Sequence, residues 1–192
     1  WDSASDCLGL MDHLGIERCV VGGMSQGGFL SLRTALTAPQ RVRGLILLDT
    51  EAGPATPDQQ AAYGAMIDTW VSVGAVPELA EIVANIIIAE PVANAEWIAK
   101  WQARPKELLA EPGRCLLSRD DIRGRLAEIT CPALVVHGTD DTAITMEQAE
   151  ELAAGLVGCG GVVKVGGAHA ANLTNPEPVN AAILEFLAGL PA

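Results

Sequence analysis

The sequence has no long hydrophobic run and little positive charge, and each absence excludes a class of protein. Apolar stretches such as Leu45–Leu48 fall far short of the roughly 20 residues that a membrane-spanning helix needs. Twelve Lys and Arg residues stand against 24 Asp and Glu residues, which gives a net charge of −12 at pH 7. Because nucleic acids and membrane surfaces are polyanions, we expect neither to be a partner of this acidic chain.

Closely spaced cysteine pairs are also missing. The five cysteines stand singly, and none forms the C-x-x-C spacing of zinc ribbons and redox dithiols. The amino end is polar and acidic, unlike a signal peptide. We therefore expect free thiols and a cytoplasmic location.

Length and hydrophobic content suit one globular domain: the chain has 192 residues, of which 49% are apolar. Strand and helix patterns alternate in residues 1–51 and 129–192, whereas residues 52–128 show only helical spacing. The short apolar runs that predict strands are 18–23, 42–48, 133–136 and 162–165. The pattern indicates an α/β fold with a mostly parallel sheet and an inserted helical segment.

Apolar spacing, capping residues and prolines predict where individual helices begin and end. Residues 26–37 predict a helix that ends before Pro39. Apolar residues from Leu79 to Ile87 recur at helical spacing. Thr145 and Gln148 form a capping-box signature, and Pro176 suits the first position of the last helix.

The sharpest motif is the G-x-S-x-G of residues 23–27, which lies between a predicted strand and a predicted helix. A serine hydroxyl is a weak nucleophile and must be held in the open beside a base. A tight strand-to-helix turn does this, and Gly23 and Gly27 relieve its crowding because they have no Cβ. We therefore interpret Ser25 as a candidate nucleophile.

Neighbouring residues extend this interpretation. The backbone N–H of Gln26 falls at a helix start, where amides can donate to a developing oxyanion. Gly28 gives the helix room to lie close to the sheet. The motif lacks the G-x-G-x-x-G of dinucleotide-binding loops.

A candidate acid follows the strand that ends at Val136. Asp141 is preferred, because a carboxylate at a strand's carboxyl end can orient a catalytic histidine. Asp140, its neighbour, and Asp49, at the end of strand 42–48, stay open as alternatives.

His169 is the candidate general base, since it lies in a glycine-rich loop after the last predicted strand. His13, in the first helix, is expected to pack or face solvent. His137 is expected to tether the loop that carries the acid. The spacing of the histidines does not predict a metal site.

The chain order Ser25, Asp141, His169 is that of the α/β-hydrolase superfamily, which this sequence resembles. The likeness rests on residues 23–28, 137–141 and 168–177, and within the superfamily it points to capped esterases and enol-lactonases. It implies a nucleophilic serine, no cofactor and a helical cap at residues 52–128. Trp70, Trp97 and Trp101 of that cap either line an apolar substrate pocket or only pack its helices.

The resemblance breaks at the amino end. The superfamily has further strands before this point, including the loop that supplies a second oxyanion amide. We therefore expect this chain to be a carboxyl-terminal portion of a longer hydrolase. The strand 18–23 would then expose an edge through which the chain could associate with itself.

The nucleophile type narrows the chemistry to attack on an acyl carbon of a small ester or lactone. C–C bond hydrolysis and perhydrolase or haloperoxidase chemistry use the same residues and stay open. A non-catalytic binding protein that keeps the fold is the rival from another class.

Overall fold

The computed structural model describes residues 1–191 and contains two compact units. The first comprises Trp1–Ala52 and the chain from Ile122 onward, and the second is Gly53–Asp121. The helical unit is therefore shorter than the segment 52–128 expected from the sequence. Its carboxyl boundary differs because Ile122 and Leu126 are buried in the core of the first unit.

The first unit is built on a sheet of four parallel strands that follow one another in chain order. The strands are β1 (Cys19–Met24), β2 (Val42–Leu48), β3 (Ala133–Gly138) and β4 (Cys159–Val165). β2 and β3 are central, and β1 and β4 form the edges among the residues described. The predicted parallel α/β sheet is confirmed.

Hydrophobic runs explain the central position of β2 and β3. Side chains on one face, including Leu45, Leu47 and Val135, are buried in the larger apolar cluster with Leu32 of the preceding helix. Val136 faces the other side, in a second cluster with residues of the last helix. Strands covered on both faces need apolar side chains at nearly every position.

Except for the short helix Ala171–Thr174, which the sequence pattern does not predict, the helices of this unit lie where the sequence predicts them. They are α1 (Asp2–His13), α2 (Gln26–Thr37), α7 (Met146–Gly155), α8 (Ala171–Thr174) and α9 (Pro176–Gly189). Thr145 and Gln148 form the predicted capping box. Pro176 occupies the first turn of α9, where a missing N–H costs nothing.

The second unit contains four α-helices in residues 53–121. They are α3 (Pro57–Val73), α4 (Pro77–Ile87), α5 (Pro91–Gln102) and α6 (Ala110–Leu117). α3, α4 and α5 each begin with a proline. Over the whole described chain, no helix is both long and apolar enough to cross a bilayer.

Candidate active site

Ser25 forms a one-residue turn between β1 and α2. Its φ of 51° and ψ of −116° lie in a region that non-glycine residues rarely adopt, and such strain concentrates at functional sites. Backbone and side-chain bonds hold it there. The Ser25 N–H donates to the Leu48 carbonyl (2.9 Å), and the Thr50 hydroxyl donates to the Ser25 carbonyl (2.8 Å).

Thr50 is absent from the residues that the sequence pattern singles out. Its side chain is fully buried and fixes the carbonyl of the turn. The sequence offers one signal for it: a side chain that can form hydrogen bonds two residues after the end of the apolar strand β2.

Close backbone approach explains two of the three glycines in this turn. A Cβ on Gly23 would lie 2.4 Å from the Gly27 carbonyl carbon, and one on Gly28 would lie 2.5 Å from Thr50. A Cβ on Gly27 would have no neighbour within 4 Å. The expected crowding is confirmed for Gly23 and Gly28 and is wrong for a side chain at Gly27.

His169 and Asp141 are in direct contact. His169 Nδ1 lies 2.8 Å from Asp141 Oδ2, and both side chains are buried. The other carboxylate oxygen, Oδ1, accepts the N–H groups of Ala143 (2.8 Å) and Ile144 (3.0 Å). A carboxylate only accepts, so Nδ1 carries the hydrogen and the Nε2 lone pair is directed elsewhere.

The two alternative acids have other partners. Asp140 is exposed, and its backbone N–H donates to the Gly167 carbonyl (2.9 Å), which ties the acid loop to the histidine loop. Asp49 accepts the Gly138 N–H at 2.8 Å through Oδ1. His13 is exposed on α1.

All these side chains follow the carboxyl ends of parallel strands. Ser25 follows β1, Asp49 follows β2, Asp141 follows β3 and His169 follows β4. The strands are adjacent and parallel, so the residues share one edge of the sheet, where open α/β sheets bind their ligands. Gln26, the expected oxyanion donor, is the first residue of α2 at this edge.

Three titratable groups form a buried cluster beneath this edge. Atoms of Asp49, His137 and Asp141 lie within 4.8 Å of one another. Burial raises the pKa of Asp49 to about 7, and the charge of Asp141 adds to the rise. Burial lowers the pKa of His137. A cation here would need the Asp141 carboxylate, but its two oxygens already take part in three hydrogen bonds.

The three tryptophans contact one another within the helical unit. The Trp70 and Trp101 rings meet edge to face with centroids 5.8 Å apart, and Trp97 lies 6.3 Å from Trp101. A groove of about 650 Å³ in the same unit is lined by α3 and α6, including Ile67, rather than by these rings. Contact of the tryptophans with a substrate stays a prediction.

Known proteins resemble this chain along nearly its whole length. Residues 1–176 match the family described as alpha/beta hydrolase fold. A protein of Pseudomonas savastanoi pv. phaseolicola named as a carbamate hydrolase, RutD, is 30% identical over 96% of this chain and 73% of its own length.

Two solved structures of hydrolases are also similar to this chain in sequence and in fold. The enol-lactonase from Burkholderia xenovorans LB400 is 28% identical with a TM-score of 0.85, over 96% of this chain and 71% of its own. A thermophilic esterase from Thermogutta terrifontis is 27% identical with a TM-score of 0.87, over 96% and 70%. The chain therefore belongs to the α/β-hydrolase fold family, and these relatives support a hydrolase activity.

Proposed function

We propose that the chain is a serine hydrolase that cleaves a small carboxylic ester or lactone through an acyl-enzyme on Ser25. The observation that carries the proposal is the buried hydrogen bond from His169 Nδ1 to Asp141 Oδ2 (2.8 Å). It lies at the sheet edge where the strained turn presents Ser25. Nucleophile, base and orienting acid are the parts that acyl transfer requires.

In the first half of the reaction, Ser25 Oγ attacks the carbonyl carbon while His169 Nε2 removes the hydroxyl proton. Asp141 keeps the hydrogen on Nδ1 and stabilises the imidazolium that forms. The carbonyl oxygen becomes negative and accepts the N–H of Gln26. The imidazolium then gives its proton to the leaving oxygen as the carbon–oxygen bond breaks.

In the second half, water takes the place of the serine. His169 removes a proton from water, the resulting hydroxide attacks the acyl carbon, and the proton returns to Ser25 Oγ as the acid leaves. For a lactone, both product groups stay in one molecule, because the leaving oxygen belongs to the ring. Within this chain, these steps use the side chains of Ser25, Asp141 and His169 and the backbone N–H of Gln26, and water is the second reactant.

The substrate class rests on the nucleophile and on the relatives. A serine oxygen favours an acyl carbon, and the names of the relatives, a carbamate hydrolase and an enol-lactonase, both describe attack at such a carbon. We extend the proposal to Gly53–Asp121, which corresponds to the cap that the family resemblance implies.

A fluorophosphonate probe tests the nucleophile, because it phosphonylates an activated serine and releases fluoride. We expect the wild-type chain to be labelled on Ser25 and Ser25→Ala to show no labelling. We expect Asp141→Asn to lower kcat for a nitrophenyl ester by about 10⁴-fold, since the histidine would lose its orientation.

Asp140→Asn is the matched control, because Asp140 is the exposed neighbour of Asp141 and should keep full activity. Equal loss in both variants would reject Asp141 as the orienting acid. A folded wild-type chain that reacts with neither probe nor ester would favour the non-catalytic binding protein. Turnover only with peroxide or with a C–C substrate would identify one of the other chemistries.

A further inference from the structure

The buried cluster of Asp49, His137 and Asp141 contains two groups that the proposed reaction does not use. Asp49 is 1% exposed and His137 is fully buried. They come from the ends of β2 and β3, directly below the loop that carries Asp141. Burial of an acid and of an imidazole lowers the stability of the folded chain unless both groups are well paired. The burial of Asp49 and His137 therefore indicates that they have a function in the site.

The hydrogen bonds define the form of His137. Its Nε2 lies 3.0 Å from the Ile144 carbonyl oxygen. A carbonyl only accepts, so Nε2 carries the hydrogen and Nδ1 has a lone pair. Nδ1 makes no hydrogen bond to any residue in 1–191, and it faces Asp49 Oδ1 at 3.9 Å.

Asp49 is held firmly in this position. Its φ of 46° is in the left-handed region, its N–H donates to the Val136 carbonyl (3.0 Å), and Oδ1 accepts the Gly138 N–H (2.8 Å). Hydrogen bonds to β3 thus hold the Asp49 carboxyl group, which follows β2, beside His137 Nδ1. That nitrogen can only accept a hydrogen bond. A carboxylic acid suits that neighbour, whereas a carboxylate would set two acceptors against each other.

The charged groups around Asp49 also favour its neutral, protonated form. Asp141 takes two amides and the His169 N–H, which marks it as the ionised member of the pair. The groups that act on the Asp49 carboxyl are His137 on β3, Asp141 in the following loop and His169 after β4. Burial raises the pKa of Asp49 to about 7.

We propose that Asp49 is a positioning residue of the hydrolytic site. As a neutral carboxylic acid it acts through the Gly138 amide and His137 to hold the loop that carries Asp141. His137 completes the link, since its Nε2–H donates to Ile144 in that loop and also lies 3.4 Å from Asp141 Oδ2. The cluster then holds one negative charge, and that charge lies where it supports the His169 imidazolium.

Ionisation of Asp49 would place a second buried negative charge beside Asp141, and the repulsion between the two carboxylates would displace the loop that carries Asp141. The inference rests on the proposed hydrolytic function. It therefore needs one readout that depends on Asp49 alone.

The experiment compares Asp49→Asn with Asp49→Ala in the whole chain. Asparagine copies the neutral acid: it carries no charge, and its oxygen can accept the Gly138 N–H as Asp49 Oδ1 does. We expect wild type to lose kcat above pH 7, and we expect Asp49→Asn to keep kcat within about threefold of wild type at pH 6 and to lack that loss. We expect Asp49→Ala to lose roughly tenfold or more in kcat with little change in KM, because the buried Gly138 N–H loses its hydrogen-bond partner at the start of the loop that carries Asp141.

Infrared spectroscopy supplies the readout that is independent of activity. Wild type at pH 6 should show a protonated carboxyl band that is missing in Asp49→Asn and disappears at high pH, and this holds even if Asp49→Ala does not fold. Absence of that band, an Asn variant as slow as the Ala variant, or three identical pH profiles would each overturn the proposal. Failure of the proposed function is distinct, because it would appear as missing probe labelling of Ser25 in wild type.

Discussion

At the scale of single residues, Asp49 couples folding to pH. Its pKa is raised from 3.8 to about 7 by burial, so between these values the folded chain holds a proton that the unfolded chain releases. Stability contributed by this group is therefore greatest at low pH and falls as pH rises towards 7. The lowered pKa of His137 acts in the opposite direction, since the unfolded chain gains that proton as pH falls.

We expect Asp49→Asn to remove the Asp49 part of this dependence. The free energy of unfolding of the variant relative to wild type should increase between pH 5 and pH 8, by at most about 3 kcal/mol. Urea unfolding at several pH values measures it, with Asp140→Asn as the exposed control. A constant difference between variant and wild type would contradict the raised pKa.

The sequence indicates the candidate site residues Ser25 and His169 from their motifs and chain positions. It favours Asp141 as the acid but leaves Asp140 and Asp49 open, because spacing alone does not separate adjacent carboxylates. Asp141 accepts the amides of Ala143 and Ile144 and is thereby turned inward, which depends on the folded backbone.

At the scale of elements, the β1–α2 turn depends on one close approach. Gly23→Ala would set a Cβ 2.4 Å from the Gly27 backbone, which cannot move without shifting the start of α2. We expect a loss of about 1–3 kcal/mol in the free energy of unfolding, measured by urea denaturation.

Gly27→Ala is the matched control in the same motif. A methyl group there meets no atom within 4 Å, so stability should stay unchanged or rise by up to about 1 kcal/mol through helix propensity. Equal destabilisation by both alanines would show that the turn tolerates neither side chain for a reason other than this contact.

Element positions were predictable where apolar runs and caps coincide, as in α2 and β2. β4 begins at Cys159, earlier than the run 162–165 suggests. Gly160 and Gly161 interrupt the apolar pattern, and the pairing of Cys159 with Ala133 of β3 is separated from the pairs that start at Val162 by an irregularity in the register. α4 forms as predicted, yet Ile82 of its apolar stripe is 55% exposed. The buried residues of α4 are Ala80 and Ala84. The sequence pattern could not predict this, because the packing of neighbouring helices determines which face of α4 is buried.

At the scale of the whole molecule, β1 is an edge of the described sheet. An edge strand with free backbone groups can pair with another chain. We expect the chain to self-associate through β1, with a mass by light scattering that rises above that of a single chain as concentration increases.

Val20→Lys should reduce this association, because a charged side chain on an edge strand opposes pairing. Val157→Lys serves as the control, since Val157 is exposed and precedes β4 at the far edge. A single-chain mass for wild type at all concentrations would refute the prediction.

The chain leaves the sheet-containing unit after Ala52 and re-enters it at Ile122. The Ile122 N–H donates to the Ala52 carbonyl at 3.2 Å, so departure and return occur at one point. A segment of different length could take the place of residues 53–121, because the hydrogen bond between Ile122 and Ala52 holds the two ends of the segment together. Exchange of that segment would therefore leave the sheet, and the edge that carries Ser25, Asp141 and His169, in place.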